Sequence, residues 1–266
     1  MSTMPYDPTD LTEAQWTLLW ARLPARKGRP GGPGRPPCEL RQVLNGIFSL
    51  LKTGGPWRMV PREFGKWTTS YAYFKAWREM GVWTKLMEAL RQQERRRQGR
   101  QAEPSAGSVD SQSIKTATQT TEVGFDGGKQ GKGRKRHLFV DTLGWLIAVV
   151  VTAANLGDRV GWLALLTHYF LGGVRRLRKL WVEGGYQAEG LTQGGRDLKQ
   201  TYKIDLEVRS HDGPGFQVVP WRWVVERTFA WLLNDRRHSR DYERLTTNSE
   251  PMIQLSMIRL LLKRLA

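Results

Sequence analysis

Hydrophobic positions in the first hundred residues of the chain recur at helical spacing. Leu11, Trp16 and Leu19 lie on one face of a helix predicted over residues 11–23. The sequence Thr12-Glu-Ala-Gln15 at its start matches a capping box. The same periodicity predicts further helices at about 40–52, from Thr68 or Thr69 onward, and after Gly81. This half of the chain is therefore predicted to be all-helical.

Between the first two helices lies a stretch rich in proline and glycine. Residues 24–37 carry four positive charges and can sustain neither a helix nor a strand ladder. The composition is typical of a mobile basic arm and equally of a plain linker.

Beyond about residue 105 the periodicity changes to that of strands. A strand is predicted over 109–115, and 136–140 with 145–154 form a hairpin around Asp141-Thr-Leu-Gly144. The second arm of the hairpin is apolar enough to be buried on both faces. Helices and strands then alternate at 158–170, 179–182, 187–200, 202–208 and after Pro220. The order predicts an α+β protein in which a mixed sheet is flanked by helices.

The change of pattern also predicts two domains. Apolar residues disappear toward Arg100, and Pro104 and Gly107 follow, so the boundary is expected between residues 98 and 105. We therefore expect a helical domain over 1–100 and a domain containing the sheet over 101–266.

Charge narrows the class of partner. The 266 residues include 42 Lys and Arg against 25 Asp and Glu, a formal net charge of +17. So large an excess favours binding to phosphate backbones over a solvated basic surface or adsorption to a membrane. A nucleic acid is the expected partner.

Other features of the composition bear on location and on metal ligands. No apolar run approaches the roughly 20 residues that cross a bilayer, and the N-terminus lacks the order of a signal peptide, which predicts no membrane partner and a cytoplasmic protein. A single cysteine, Cys38, excludes an intramolecular disulfide and a cysteine zinc cluster. Any metal must therefore be held by oxygen ligands.

Three carboxylates in distant segments are the candidates for catalysis. Asp110 lies in a predicted strand, Glu183 at the end of another, and Glu226 on a predicted helix whose Val225 and Phe229 should face the sheet. Carboxylates gathered in this way can hold two Mg²⁺ ions about 3.5 to 4 Å apart for phosphodiester chemistry. For Glu226 the alternative is a surface ion pair with Arg222 or Arg227, which would be worth only about 0 to 1 kcal/mol.

Two other acids were weighed for the middle position. Asp141 begins a hairpin turn, where Asp is favoured for local hydrogen bonding, and Asp158 stands where a helix N-cap is expected. We predict that both are structural.

Candidate DNA contacts fall in three segments. The break Gly54-Gly-Pro56 between the second and third helices is typical of a helix-turn-helix, whose second helix enters the major groove. A glycine-rich basic tract at 124–137 is suited to gripping phosphates, or is simply a basic hairpin edge. Arginines after Glu226 have a spacing that could align them along its helix, or they form a solvated face. The candidates are Lys66, Tyr71, Lys75, Arg78, Lys129, Lys132, Arg134, Lys135, Arg136, Arg236 and Arg237.

The sequences around the three carboxylates resemble those of bacterial insertion-sequence transposases of the DDE type, in the insertion-sequence-five family. The motifs that carry the resemblance are Val109-Asp-Ser-Gln-Ser-Ile-Lys115, Gly131-Lys-Gly-Arg-Lys-Arg-His-Leu-Phe-Val-Asp-Thr-Leu-Gly144, Trp181-Val-Glu-Gly-Gly-Tyr186, Arg222-Trp-Val-Val-Glu-Arg-Thr-Phe-Ala-Trp-Leu232 and Arg236-Arg-His-Ser-Arg-Asp-Tyr-Glu243. These motifs occur in the family's order, and the resemblance as a whole covers nearly the whole chain.

The resemblance implies a fold, a reaction and partners. It implies an RNase H-like core with Asp110, Glu183 and Glu226 at the metal-binding positions, preceded by a helical DNA-binding domain. The implied cofactor is Mg²⁺ or Mn²⁺, two ions. The implied reaction is cleavage at the terminal inverted repeats of an insertion sequence and joining of its 3′ ends to target DNA. The implied partners are those double-stranded DNAs and a second copy of the chain, in a bacterial, nucleoid-associated setting.

One residue departs from the family pattern. The middle position is normally Asp, as in Ala-Asp-Gly-Gly-Tyr, whereas this chain has Glu183. The added methylene moves the carboxylate by about 1.5 Å, and a misplacement of about 1 Å can cost on the order of 100-fold in rate. This departure leaves one alternative, a transposase-derived DNA-binding protein without catalysis. Independently of Glu183, a second alternative is a nuclease that acts on RNA–DNA hybrids with the same metals. The second would not need the predicted helix-turn-helix.

Overall fold

The predicted change from helices to strands is present in the computed structural model, which describes residues 9–24, 38–171, 176–183, 199–200, 202–209 and 222–266. The helices are α1 (Glu13–Trp20), α2 (Leu40–Thr53), α3 (Trp67–Glu79), α4 (Val82–Arg97), α5 (Asp158–Leu171), α6 (Arg222–Leu232) and α7 (Thr246–Leu265). The strands are β1 (Ala106–Lys115), β2 (Gly124–Asp126), β3 (Gly131–Asp141), β4 (Leu146–Ala153), β5 (Lys179–Glu183) and β6 (Asp205–Arg209). Most of the stretch 24–37, the predicted basic arm, lies outside the described residues.

The first helices begin and end where local chemistry requires. Thr12 caps α1, and its side chain and that of Gln15 form the reciprocal bonds of the predicted capping box. Gly54 ends α2 in the left-handed region, at φ 75°, which glycine adopts without the steric cost of a Cβ.

The connection from α2 to α3 is longer than a helix-turn-helix requires. Residues 54–66 contain two 3₁₀ turns, Trp57–Met59 and Arg62–Phe64, whereas the motif uses a turn of about 3 to 4 residues. The helix-turn-helix therefore stays a prediction.

The sheet is mixed. Its strands follow the order β2-β3-β1-β5-β6, and β4 pairs with β3. β3 runs antiparallel to β1 and β4, while β5 is parallel to β1 and to β6. The predicted hairpin of β3 and β4 is confirmed.

Hydrophobic residues cover both faces of the sheet. Phe139 and Val150 pack with α5, while their neighbours Leu138 and Val149 pack with α6, α7 and the N-terminal helices. This alternation is the strand period of two, and it confirms that β4 is buried on both sides.

The last helix, α7, joins the two parts of the chain. It packs against α4 and α2 on one side and against β4 on another. Most of its residues are buried, among them Leu255, Ile258 and Leu261. The N-terminal helices and the sheet thus share one hydrophobic core. The predicted boundary at 98–105 falls between α4 and β1.

Glycine at position 161 lets α5 approach the sheet. A Cβ there would lie 2.2 Å from the Cε1 atom of His137, whose ring is fully buried and hydrogen-bonds Thr152 at 3.1 Å. We expect Gly161→Ala to lower the free energy of unfolding by about 1 to 3 kcal/mol, despite the better helix propensity of alanine. Urea denaturation measures this, and Gly157→Ala, which meets nothing within 4 Å, is the control. A Gly161→Ala protein as stable as the native one would contradict the packing.

A polar cavity of about 280 Å³ lies between the start of α4 and α7. Glu250 and Arg78 line its wall. Glu250 accepts a hydrogen bond from the backbone N–H of Val151 at 3.1 Å. Burial raises the pKa of Glu250 to about 7, opposed by the Val151 bond and reinforced by Glu122.

The raised pKa predicts a pH-dependent effect of Glu250→Gln. Because the folded state holds this proton more tightly than the unfolded state, the native protein loses stability as the pH rises from about 4.5 through about 7. The variant should therefore match the native protein near pH 4.5 and exceed it above pH 7, by on the order of 3 kcal/mol at most. Urea denaturation at both ends of this range tests it. A difference that does not change with pH would contradict the pKa.

Candidate active site

Asp110 lies in the middle of the sheet, on β1. It is only 6% exposed, and its Oδ1 atom accepts the N–H of Ser111 at 2.6 Å. Its neighbour Val109 packs on the α5 side, so strand alternation turns Asp110 toward the side of α6. Its cross-strand partner Leu138 belongs to the core that contains α6, which agrees with this orientation.

Glu183 is the last residue of β5, and β5 lies beside β1. Val109 and Val182 pair in the parallel register, so the backbone of Glu183 continues the strand next to that of Asp110. The predicted strand end is confirmed. Gly184 and Gly185 lie outside the described residues, as does the side chain of Glu183.

Glu226 lies on α6, which packs across β1, β3 and β5. Val225, Phe229 and Leu232 of this helix are buried, as predicted, while Glu226 is exposed. Asp110, the end of β5 and the helix of Glu226 therefore belong to adjoining elements, two neighbouring strands and the helix that packs across them.

The turn between β3 and β4 fixes the position of α6. Thr228 donates to the carbonyl of Gly144 at 2.8 Å, and Arg227 donates to that of Leu143 at 2.9 Å. Gly144 has φ 84°, and a Cβ on it would lie 3.1 Å from atoms of both side chains, so the turn requires glycine here. Arg227 also stacks between Trp223 and Trp231, its Cζ atom 4.5 and 4.7 Å from their rings.

Hydrogen bonds to the Asp141 side chain also stabilise this turn. Its Oδ1 atom accepts the N–H groups of Leu143 and Trp145, each at 2.9 Å, and its Oδ2 atom accepts Arg95 of α4 at 2.5 Å. Both side chains of this ion pair are buried. The sequence missed Arg95 because its partner lies 46 positions away.

Asp158 and its surroundings form a polar cluster on the α5 side of β1. Ser111 donates to Asp158 at 2.9 Å, and Lys135 lies 3.2 Å from Asp158 and 3.9 Å from Asp126. Ser113 donates to Asp126, which lowers the pKa of that carboxyl. Asp158 is the first residue of α5 rather than the residue before it, so the predicted N-cap position is off by one, and its structural role stays a prediction.

The candidate DNA contacts in and next to α3 differ in how far they are exposed to solvent. Lys66 and Lys75 are exposed, and Lys75 lies 4.0 Å from Glu79. Tyr71 is half-buried, with its ring edge on Trp57. Arg78 is half-buried, donates to Asn248 of α7 and pairs with Glu79 at 3.0 Å.

The basic tract divides into a surface pair and a buried trio. Lys129 and Lys132 are exposed on the hairpin of β2 and β3. Arg134, Lys135 and Arg136 are 0%, 8% and 2% exposed. These three lie in the interior of the described structure, which corrects their assignment as phosphate contacts.

Each member of the buried trio is bonded to the protein itself. Arg134 pairs with Asp241 at 3.2 Å and Lys135 with Asp158. Arg136 donates to the carbonyl of His238 at 3.2 Å, and burial lowers its pKa to about 10. Arg134 and Arg136 thus join β3 to the segment after α6, whereas Lys135 joins it to the start of α5.

The arginines after Glu226 do not continue its helix. α6 ends at Leu232, and Arg236 and Arg237 belong to a separate 3₁₀ turn, which corrects the predicted alignment. Arg236 is exposed, whereas Arg237 is buried and donates twice to Glu243, at 2.6 and 2.9 Å.

Among the side chains that the structure describes, which exclude that of Glu183, no three His, Cys, Asp or Glu residues are close enough to hold a metal ion. All three candidate residues are carboxylates, whose oxygens are the ligands that Mg²⁺ and Mn²⁺ prefer. Within the described part of the chain, no helix has the length and apolar character to cross a membrane.

Comparison with known proteins identifies the family. A family model described as "Putative transposase of IS4/5 family" matches residues 11–87, and one described as "Transposase DDE domain" matches residues 101–261. The "Insertion element IS402 uncharacterized 16.2 kDa protein" of Burkholderia cepacia is 37% identical over 112 residues, covering 41% of this chain and 75% of that protein. The "Putative transposase for insertion sequence element IS402" of the same organism is 32% identical over 118 residues, covering 42% of this chain.

The chain spans 54% of the length of that second relative. The DDE domain implies an RNase H-like fold, with which the mixed sheet and its flanking helices agree. The DDE domain alone matches more than half of the chain, and together with the IS4/5 model over the N-terminal part and the IS402 relatives it shows that the chain belongs to the IS4/5 family of DDE transposases.

Proposed function

We propose that the chain is an active transposase that cuts the terminal inverted repeats of its insertion sequence and joins the 3′ ends to target DNA. Residues 1–100 contribute DNA binding and residues 101–266 the catalytic domain. The observation that carries the proposal is the placement of Asp110 beside the end of β5, under the helix that bears Glu226.

Asp110, Glu183 and Glu226 would hold two Mg²⁺ or Mn²⁺ ions. When bound, such ions activate an oxygen nucleophile and stabilise the leaving oxygen of a phosphodiester. The chain's own part is to hold the carboxylates in place. β1 fixes Asp110 through strand pairing on both edges, and the bonds of Arg227 and Thr228 to the turn at 141–144 fix α6.

DNA reaches this site along a basic surface. Lys129 and Lys132 on the β2–β3 hairpin, Arg236 beyond α6, and Lys66 and Lys75 near α3 are exposed cations that would contact phosphates. Lys129 Nζ lies 3.5 Å from the carbonyl of Ser111, the residue that follows Asp110 on β1. Two element ends must be held together, so a homodimer on DNA is expected.

A cleavage assay tests the proposal. The native protein is incubated with a labelled duplex carrying the end of its element, in Mg²⁺ and in Mn²⁺, beside Glu183→Asp. Nicking at the element end by the native protein supports the proposal and shows that Glu183 serves the reaction. Cleavage by the Asp variant alone would support the alternative, an end-binding protein that has lost catalysis. Equal cleavage of scrambled duplex would count against a transposase.

A further inference from the structure

The segment 57–66 between α2 and α3, here called the 57–66 loop, presents cations and one large apolar side chain to solvent. Arg58, Arg62 and Lys66 are exposed. Met59 stands among them at 74% exposure, more than any other exposed large hydrophobic residue of the described chain. Burying this side chain against a partner would contribute up to about 1.5 to 3 kcal/mol to binding.

Side-chain packing and backbone hydrogen bonds fix the conformation of the 57–66 loop. Trp57 packs its ring 5.1 Å from those of Tyr71 and Phe74 on α3, and Val60 and Phe64 are each 7% exposed. Backbone bonds close both 3₁₀ turns, from Val60 to Trp57 at 3.1 Å and from Gly65 to Arg62 at 2.9 Å. Met59 is therefore exposed because the packed residues of the loop fix its backbone with this side chain outward. The outward residues keep a fixed spacing for the same reason.

Close packing against α2 reinforces this arrangement. A Cβ on Gly46 would lie 3.1 Å from the Cβ atom of Phe64 and 3.2 Å from Val60. The backbone of α2 thus meets the underside of the loop directly. The inward residues are apolar, and the outward ones are the three cations together with Met59, Gly65 and the single acid Glu63.

The three cations are available to an anionic partner. Among the described residues none of them is paired with an acid, and Arg58 only lies over the ring of Trp67, with its Cζ atom 5.9 Å from the centroid. The carbonyls of Gly54 and Gly55, at the start of the connection, accept Arg237, the neighbour of the exposed Arg236. The loop is therefore continuous with a cation of the C-terminal part.

We propose that the 57–66 loop contacts duplex DNA, with Arg58, Arg62 and Lys66 on phosphates and Met59 against the bases between them. Charge complementarity selects a polyanion, and an apolar side chain flanked by arginines suits a groove, where methionine is among the residues that press between base steps. The inference rests on the proposed function and adds to it Arg58, Met59 and Arg62, which neither that proposal nor the helix-turn-helix prediction included.

Salt-dependent binding separates the two parts of the contact. Fluorescence anisotropy with a labelled duplex of the element end is measured over a range of salt for the native protein, Arg58→Gln with Arg62→Gln, and Met59→Ala. Removing two phosphate contacts should reduce the slope of log K against log salt by about 2. Removing the apolar contact should weaken binding about tenfold, the effect of losing about 1.4 kcal/mol of apolar burial, with the slope unchanged.

Met80→Ala is the matched control, because Met80 is also an exposed methionine, at 53%, but lies at the end of α3 away from the loop cations. It should bind as the native protein does. Unchanged slope and affinity in the loop variants, with native binding intact, would overturn the loop contact and leave the proposed function standing. The native protein could instead show no cleavage of element ends or no preference for them, while the loop variants still change binding to scrambled duplex. That result would count against the proposed function alone. If the native protein binds no duplex, both are wrong.

Discussion

Asp110→Asn is expected to abolish strand cleavage at the element end while leaving duplex binding unchanged. Asparagine keeps the shape of the buried side chain and can still accept the N–H of Ser111, so β1 and its pairing should persist. It removes the negative charge that a divalent cation requires. A loss of several kcal/mol of transition-state stabilisation corresponds to a fall in rate of about a thousandfold or more. Single-turnover cleavage and anisotropy on the same duplex measure the two effects.

Asp205→Asn is the control for this experiment. Asp205 lies on the same sheet at the start of β6, paired in register with Lys179 at the end of β5 opposite to Glu183. It is exposed and pairs with Lys199 at 3.8 Å, so its removal should change neither cleavage nor binding. Retained cleavage by Asp110→Asn would remove Asp110 from the proposed site.

Arg134→Met is expected to destabilise the fold by about 3 to 5 kcal/mol, because it leaves Asp241 buried without its partner. The Arg134 side chain is 0% exposed and its guanidinium donates to five different residues. They are Asp241 at 3.2 Å, Glu243 at 2.8 Å, Ser249 at 3.1 Å, Arg244 at 2.8 Å and Thr121 at 2.5 Å. Methionine fills much of the volume but satisfies none of these acceptors. Urea denaturation measures the loss.

Lys132→Met is the matched control, two positions earlier on β3 and exposed. It should leave the unfolding free energy within about 0.5 kcal/mol and reduce the salt slope of DNA binding by about 1. The two variants should therefore separate stability from DNA contact. An Arg134→Met protein as stable as the native one, with a salt slope reduced like that of Lys132→Met, would contradict the interior role.

Periodicity predicted the elements that carry the candidate site. Val225 and Phe229 repeat at helical spacing, so the helix of Glu226 and its buried face could be predicted, and α6 has both. The apolar run before Glu183 likewise predicted β5. Short-range patterns of this kind are set by local packing against the sheet, which the sequence records directly.

Burial of charge could not be predicted in the same way. Lys132 and Arg134 are two positions apart on β3, so the strand period of two puts them on the same face, and both are positively charged. Only the distant groups that fold over Arg134, such as the carbonyl of Arg244 and the carboxylate of Asp241, distinguish them. Backbone acceptors from remote segments leave no signal in the residues that they satisfy.

The end of α6 at Leu232 could not be predicted from the sequence for a related reason. Asp235 is buried after Leu232 and accepts Arg259 and Ser256 of α7, each at 2.8 Å. These bonds draw the chain toward α7 and place Arg236 and Arg237 in a separate turn. The partners lie 21 and 24 positions away, so local pattern favoured a longer helix.

Iron-directed cleavage of the protein tests most directly the central claim that Asp110, Glu183 and Glu226 surround one metal centre. Fe²⁺ replaces Mg²⁺ in the native protein, and hydroxyl radicals produced with ascorbate and peroxide cut the backbone near the bound ion. We expect fragments that end close to positions 110, 183 and 226, that disappear with excess Mg²⁺ and that are missing in Asp110→Asn. Cuts confined to other segments, or unchanged in Asp110→Asn, would contradict the shared site whatever the DNA assays give.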